Sequence, residues 1–253
     1  MGTRFAEKVV LVTGASAGIG RTTAIAFASE GAMVVVSGRS TEGLAGTVKA
    51  IEAIGGQADA IAAEISDAGQ VASLIAEIAR RHGRLDIAVN NAGAIGPRGP
   101  IDRVADDEFT DLIHTNVIGT WLCMKHEIAR MRAQGHGVIV NLGSVIGNGL
   151  SRPGLTAYAT SKAAVAAMTR SAAREHISDG IRINIVSPGA ADTSMSLLPG
   201  ETVEGRTDRV RGAVPIGRVA TTDEVANAVL WLASDEASFT VGHNLVVDGG
   251  AAA

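Results

Sequence analysis

Tyr158 and Lys162 stand four residues apart in an alanine-rich segment. That spacing puts both side chains on one face of a helix. A free tyrosine titrates near ~10 and is a poor acid or base at neutral pH. A lysine ammonium beside it stabilises the phenolate and is expected to lower that value. Such a pair is suited to passing a proton to or from an alcohol oxygen. The pattern alone is weak, because both residue types are ordinary on a half-exposed helix. Ser144, between an apolar run and that helix, is placed to bond a substrate oxygen. Without the Tyr/Lys pair it would read as a turn serine. Asn116 sits inside a long helical region, where asparagine has low propensity, and is a candidate for a specific hydrogen-bonding role.

These residues need elements to position them, and the chain supplies an alternation. Lys8 to Val12 is a short β-branched run that reads as a buried strand. Thr13 to Gly20 follows as a glycine-rich turn, and Arg21 to Ser29 as a helix. Strand, turn and helix in that order let the backbone and helix N-terminus approach a pyrophosphate. The glycines fall as G-x-x-x-G-x-G, and a plain glycine turn is the alternative. Further strands are expected at Met33–Ser37, Ala58–Ala63, Leu85–Val89, Val138–Leu142, Ile181–Val186 and Asn244–Val247. Helices are expected at Thr41–Ile54, from Ser66-Asp67 to His82, from Asp106 to Gln134, around Tyr158, and at Thr222–Ala233. Gly83 is the stop signal for the second of these. Short apolar strands alternating with amphipathic helices predict an α/β, doubly wound parallel sheet. Residues 190–215 read as the longest irregular stretch and as a lid over substrate.

The end of the second strand speaks to cofactor choice. Folds that prefer NAD usually carry an acid there, bonded to the ribose 2′-hydroxyl. Gly38 holds that place, followed by Arg39, a cation able to bind a 2′-phosphate. NADP(H) is therefore favoured, with NAD(H) possible. Arg39 as a solvated turn residue stacked on adenine is the alternative, and Ala17 adds no second base to the glycine loop.

Composition limits the rest. The chain has 253 residues, 46% of them hydrophobic, which suits a compact globular protein. Its 22 basic and 26 acidic residues give a formal net charge of -4 and are scattered, so no nucleic-acid surface is expected. No apolar run approaches the ~20 residues that span a bilayer, so no membrane association is expected. Met1 to Glu7 is short and mixed, and Val9 to Val12 is too brief for a signal-peptide core. One cysteine, Cys123, forbids an intrachain disulfide, fits a cytoplasmic setting and reads as core. No metal is called for.

Taken together, the motifs resemble the short-chain dehydrogenase/reductase family over nearly the whole chain. They are Thr13 to Gly20, Asn90-Asn91-Ala92-Gly93, Asn116-Val117-Ile118-Gly119, Ser144, Tyr158 with Lys162, Ser187-Pro188-Gly189 and Val247-Asp248-Gly249-Gly250. The resemblance implies one Rossmann-like domain over 1–253, a seven-stranded parallel sheet in a three-layer α/β/α sandwich. It implies hydride transfer between a nicotinamide cofactor and an alcohol/carbonyl pair. Tyr158 would be the general acid or base, Lys162 would tune it and hold the nicotinamide ribose, and Ser144 would orient the substrate oxygen. Asn116 would hold a water linking Lys162 to solvent. Gly14, Ser16, Ala17, Gly18, Ile19 and Gly20 would contact the cofactor, as would Pro188, Gly189 and Ala191. Glu64 and Ile65 would flank adenine, Asn90 the ribose, and Thr193 the nicotinamide amide. Ile95, Ile146 and Met195 would line the substrate pocket. Arg98 and Arg152, on neighbouring loops, could meet an anionic group, but solvated loop arginines are the favoured reading for both. A homotetramer or dimer acting on a small alcohol or ketone is the expected form.

Three departures stand out. Glu64 replaces the family's usual Asp, Gly143 replaces a common Ser, and the Ser144–Tyr158 segment is one residue longer. A different class, a non-catalytic dinucleotide-binding sensor or scaffold, uses the same fold. A degenerate member of that kind would be expected to lose Tyr158 or Lys162. Epimerisation or dehydration with the same cofactor is the nearer rival, and the lack of a large C-terminal substrate domain counts against it.

Overall fold

The computed structural model describes residues 3–253. Its strands are β1 (Val9–Thr13), β2 (Met33–Gly38), β3 (Gln57–Ala62), β4 (Ile87–Asn90), β5 (Gly137–Leu142), β6 (Ile181–Pro188) and β7 (Asn244–Val247). They form one sheet in the order β3-β2-β1-β4-β5-β6-β7, parallel throughout. The helices are α1 (Gly18–Ser29), α2 (Thr41–Ala53), α3 (Ala68–His82), α4 (Asp106–Ile113), α5 (Gly119–Gln134), α6 (Thr156–His176), α7 (Val203–Arg211) and α8 (Thr222–Ala233).

The period of two along each strand sorts the helices into layers. Val10, Val12, Val34 and Val36 face α1, α2 and α8, packing on Phe27, Leu44, Ile51 and Val229. Their neighbours Val9, Leu11 and Val35 face the other way, toward Leu74 and Ile78 of α3 and Met124 and Met131 of α5. Every residue of β1 is buried, as a strand covered on both faces requires. β1 and β2 therefore read as unbroken apolar runs, whereas the edge strand β3 (QADAIA) is partly exposed and mixed.

Helix ends follow local chemistry. The Asp67 carboxylate accepts from Gly69 N at 2.8 Å and Gln70 N at 3.0 Å, capping α3. Gly83 ends α3 with φ +73°, a left-handed conformation that glycine adopts without strain. Thr221 and Glu224 form a reciprocal capping box on α8.

Three expectations need correction. The 106–134 helix is interrupted by a five-residue π segment, His114–Ile118, between α4 and α5. The stretch 190–215 is not irregular throughout: it contains α7 and a 3-10 turn at Ser194–Ser196. Polar contacts hold α7, not an apolar stripe. Thr202 caps it by accepting from Gly205 N at 3.1 Å, and Arg206 and Arg209 bond Asp192 and Glu201. Finally, β6 continues through Ser187 and Pro188, which pair with Val246 and Val247. Proline at the last rung leaves the following ladder bond, from Gly189 N to Val247 O, intact. Cys123 is buried, as expected.

At the amino edge of the sheet, Asp86 is buried and accepts from Val9 N (2.9 Å), Arg84 (2.5 Å) and His136 (2.9 Å). Burial pushes its carboxyl up, but these bonds, Arg84's first, outweigh burial and hold it below its ordinary value. Asp86→Asn is expected to cost about 3 kcal/mol in urea unfolding at pH 7, because it breaks a buried pair. A depressed carboxyl contributes fully above its unfolded pKa of 3.8 and loses that contribution as pH falls toward the folded value. The gap between the two proteins should therefore narrow in acid; a gap independent of pH would mean that lost packing, not charge, is responsible.

Candidate active site

The chain leaves β1 and β4 in opposite directions, so their carboxyl ends part and open a crevice. A polar clamp spans the gap. Thr13 Oγ1 accepts from Asn91 N at 3.1 Å and Ala92 N at 3.2 Å. Asn91 Nδ2 donates to Thr13 O at 3.0 Å and Gly14 O at 3.1 Å. This close approach explains Gly14: its φ is +65°, and a Cβ there would lie 2.8 Å from both Ala92 Cα and Asn91 Nδ2.

The N-terminus of α1 points into this crevice. Ala17 supplies no side-chain cap and the first turn carries no acid. The first-turn N–H groups are thus free to bond an anion, and the helix dipole favours one. Gly18, at φ +53°, lets Thr193 approach within 3.1 Å of where its Cβ would be. Uncapped donors beside a glycine floor fit the pyrophosphate of a dinucleotide.

The cleft encloses about 790 Å³ and runs from the end of β2 to α6. Gly14, Ser16, Ala17, Gly18 and Ile19 line its floor, with Arg39, Glu64 and Ile65 at one end. Pro188, Gly189, Ala191 and Thr193 form the far wall. Ile95, Ile146 and Met195 lie at the other end, beside Ser144 and Tyr158. The Arg39 side chain is 81% exposed and stands 3.5 Å from the Glu64 carboxylate. Asp248 folds the C-terminal tail back by accepting from Gly250 N and Ala252 N, which puts Ala251 on the wall.

Tyr158 and Lys162 are both buried on the first turns of α6. Lys162 Nζ donates to Leu142 O at 2.8 Å and lies 5.9 Å from the Tyr158 ring centre. No carboxylate within ion-pairing distance meets it among the described residues. Burial alone lowers its pKa to about 8. The phenol departs from the sequence expectation: burial raises it above its ordinary value of 10, and the Ser144 hydroxyl opposes that only in part. The reason is geometric, since the ammonium reaches a carbonyl rather than the phenol oxygen. Ser144 Oγ also accepts from Ile146 N at 3.1 Å, so its orientation is set.

The π segment places Asn116. Its Oδ1 accepts from Ala94 N and its Nδ2 donates to Ala94 O, both at 2.8 Å. Nδ2 also donates to Ser161 Oγ at 3.0 Å. Asn116 thus ties the 94 loop to α6, behind the cleft wall. Gly93 passes between Asn116 Oδ1 and Lys162 Nζ: a Cβ there would stand 3.2 Å from one and 3.6 Å from the other. A Cβ at Gly143 would stand 2.6 Å from Ser187 Oγ and 2.7 Å from Ile185 Cδ1, so the departure from serine is matched by its neighbours.

Two residues expected at the cofactor are buried and do not line the cleft. Gly20 is buried behind the loop, where a Cβ would meet Asn91 Nδ2 and Gly14 O; it permits packing. Asn90 turns inward, its Nδ2 donating to Glu127 at 2.9 Å and Asn141 Oδ1 at 3.0 Å. Asn141 continues to Thr169 at 2.8 Å. Adjacent strand residues face opposite ways, so Asn91 rather than Asn90 looks into the crevice.

Comparison with known proteins bears on this arrangement. A family profile described as Enoyl-(Acyl carrier protein) reductase matches residues 14–252. The cis-4-hydroxycyclohexanecarboxylate dehydrogenase of Sinomonas cyclohexanicum is 40% identical over 99% of this chain and 98% of its own.

The chain is a short-chain dehydrogenase/reductase.

Solved structures agree with that membership. Levodione reductase superposes with a TM-score of 0.93 at 33% identity, covering 98% of each chain. NAD+-bound xylitol dehydrogenase superposes with a TM-score of 0.91 at 29% identity, covering 98% of this chain and 100% of its own. As a member of this family the chain is an oxidoreductase acting on CH–OH donors with a nicotinamide dinucleotide.

Sequence reasoning missed two residues in this dehydrogenase/reductase. Asn91 carries the clamp, and its motif was visible, but its facing was not. Glu127 gave no signal, being one acid in a helix of mixed composition. It is fully buried, and desolvation raises its pKa to about 7, against which the Asn90 bond works. A carboxyl raised from 4.5 destabilises the fold as pH climbs from the unfolded to the folded value, and the penalty is complete above about 7. Glu127→Gln should remove that slope and be about 3 kcal/mol more stable than the parent at pH 8, with little difference at pH 4. Thermal unfolding across this range checks it; parallel pH profiles would show that Glu127 titrates in the folded protein as it does in the unfolded chain.

Proposed function

We propose that this enzyme interconverts a secondary alcohol and a ketone, with Tyr158 as the proton donor and acceptor. The observation that carries the reading is the buried Tyr158–Lys162 pair, one helical turn apart, beside Ser144 at the base of the crevice. The Sinomonas cyclohexanicum relative, a cis-4-hydroxycyclohexanecarboxylate dehydrogenase, supports a secondary alcohol as one member of the couple.

A bound nicotinamide supplies or accepts the hydride. The chain's own residues do the rest. The free first-turn N–H groups of α1 hold the pyrophosphate, and Thr193 stands ready for the carboxamide. Lys162 Nζ, without a counter-ion, offers donors to the ribose hydroxyls. Ser144 donates to the substrate oxygen and fixes its direction. Tyr158, kept protonated by burial, gives its proton to the carbonyl oxygen as negative charge grows there. In oxidation the same phenolic oxygen takes the proton back, and a cationic Lys162 then favours the phenolate. Asn116 holds the 94 loop and α6 together and would seat a water beside Lys162. Residues 190–215 close over substrate, with α7 as their rigid part. A phenol held protonated and an Arg39 open to solvent both support reduction with NADPH.

A cytoplasmic setting and self-association into a tetramer or dimer complete the proposal. Exposed Trp121, Trp231 and Phe239 support the second, since water-facing aromatics of this size favour burial against another copy. No described helix is long and apolar enough to cross a membrane.

Tyr158→Phe should keep cofactor affinity and lose kcat by about 10²–10⁴-fold, read from cofactor absorbance over a ketone panel. Turnover near the parent's would end the proton-donor assignment. Arg39→Ala should raise the Kd for NADPH about tenfold and leave NADH nearly unchanged, since one charge-assisted bond to the 2′-phosphate is removed. Equal weakening of both cofactors would remove the NADP preference.

A further inference from the structure

We propose that the substrate carries a carboxylate besides its hydroxyl or carbonyl group, and that Arg152, with Arg98, receives it at the substrate end of the cleft. This assignment rests on the oxidoreductase reading above and adds the chemical class of what is turned over.

The charges in the cleft are lopsided. Its wall carries Arg39, Arg98, Arg152, Lys162 and Arg209, but one acid, Glu64. Most of these cations have an evident partner or task. Arg39 faces Glu64 at the adenine end. Arg209 forks onto Glu201 at 2.6 and 2.7 Å and donates to Ser196 O at 3.0 Å. Lys162 serves Leu142 O and the ribose site. The side chains of Arg98 and Arg152 make no hydrogen bond or ion pair with any described residue. An unpartnered arginine on a free surface loop is ordinary. Two of them on the wall of a reaction cleft, opposite no acid, are not.

Their loops are also fixed. Gly99 N donates to Gly154 O at 3.0 Å, joining the loop after β4 to the loop before α6. Leu155 N donates to Arg152 O at 3.2 Å, and Leu155 is buried in one cluster with Tyr158. Arg152 is half-buried and stands six residues before Tyr158. Residues 152–155 precede α6, so Arg152 lies on the loop that leads directly into the proton donor's helix. Ile95, Ile146 and Leu155 pack in one apolar cluster with Tyr158 and, like both arginines, line the cleft. Proton donor, apolar lining and two unpartnered guanidinium groups, Arg98 exposed and Arg152 half-buried, together make a receptor for a small hydroxy or oxo acid. Guanidinium matches a carboxylate with two parallel bonds, and the unbalanced positive end would also draw an anion in.

The test uses the wild-type enzyme, Arg98→Met, Arg152→Met and the double variant. Each is assayed with 4-oxocyclohexanecarboxylate and 4-oxopentanoate, and with the methyl ester of each. Wild type should prefer acid over ester in kcat/KM by about 100-fold, each variant should cut that ratio by about tenfold, and the double variant should bring it near one. Esters turned over as well as acids, or a ratio unmoved in the double variant, would overturn the proposal. A second arm needs no turnover: calorimetric binding of cyclohexanecarboxylate, against cyclohexanecarboxamide. Binding of the acid alone, lost in the double variant, supports the site; equal binding of both, or binding retained in the double variant, overturns it. Carboxylate binding without turnover of any ketone, with either cofactor, would support the arginine site and count against the oxidoreductase reading.

Discussion

The site depends on the Thr13–Asn91 clamp. A parallel sheet that winds outward in both directions from its middle must part at its carboxyl edge, and a crevice there is an unavoidable product of the topology. An unbraced crevice would leave two loops free to drift. Here a threonine hydroxyl and an asparagine amide bond each other's backbone across the gap. The glycine loop, the start of α1 and the Asn-Ala-Gly strand end therefore behave as one rigid floor. Gly14 and Gly20 are small because this brace brings backbone to backbone, and their absence of side chains is a packing requirement before it is a ligand requirement.

A second polar row lies one layer deeper. Glu127, Asn90, Asn141 and Thr169 run in sequence from α5 through β4 and β5 to α6. Asn90 and Asn141 are directly paired across the parallel ladder. The row costs the sheet some hydrophobic burial and leaves Glu127 Oε1 and Asn90 Oδ1 without partners. A protonated Glu127 has a hydrogen to donate where an ionised one has none, which agrees with its raised pKa. The row ties the β4 side of the crevice to β5, which leads to Ser144, and to α6, which carries Tyr158 and Lys162.

What could be read from the sequence follows from what each element buries. β1, β2, β5 and β6 are covered on both faces, so their β-branched runs announced them. Asp67 and Gly83 marked the ends of α3 because caps are local chemistry. α7 was invisible: it has little apolar periodicity, and ion pairs with Asp192 and Glu201 hold it, one from outside the helix's own surroundings in sequence. The Tyr158–Lys162 pair was legible as a spacing. The direction in which burial pushes the phenol was not, because it depends on how deep the cleft wall stands and on which oxygen the ammonium reaches. The same limit explains Asn90 and Asn91: adjacent letters in a motif, they face opposite sides of the sheet.

The π segment at His114–Ile118 carries one residue more than a helix of its length needs. Removing that residue would yield a smoother, better-bonded helix. It would also turn α5 by ~100° relative to α4. Asn116 would leave Ala94 and Ser161, and Cys123, Met124 and Glu127 would rotate out of their places against the sheet. Selection for helix stability and selection for the site thus pull in opposite directions at this point. Among relatives of this chain, length in that segment should tolerate far less variation than its residue types.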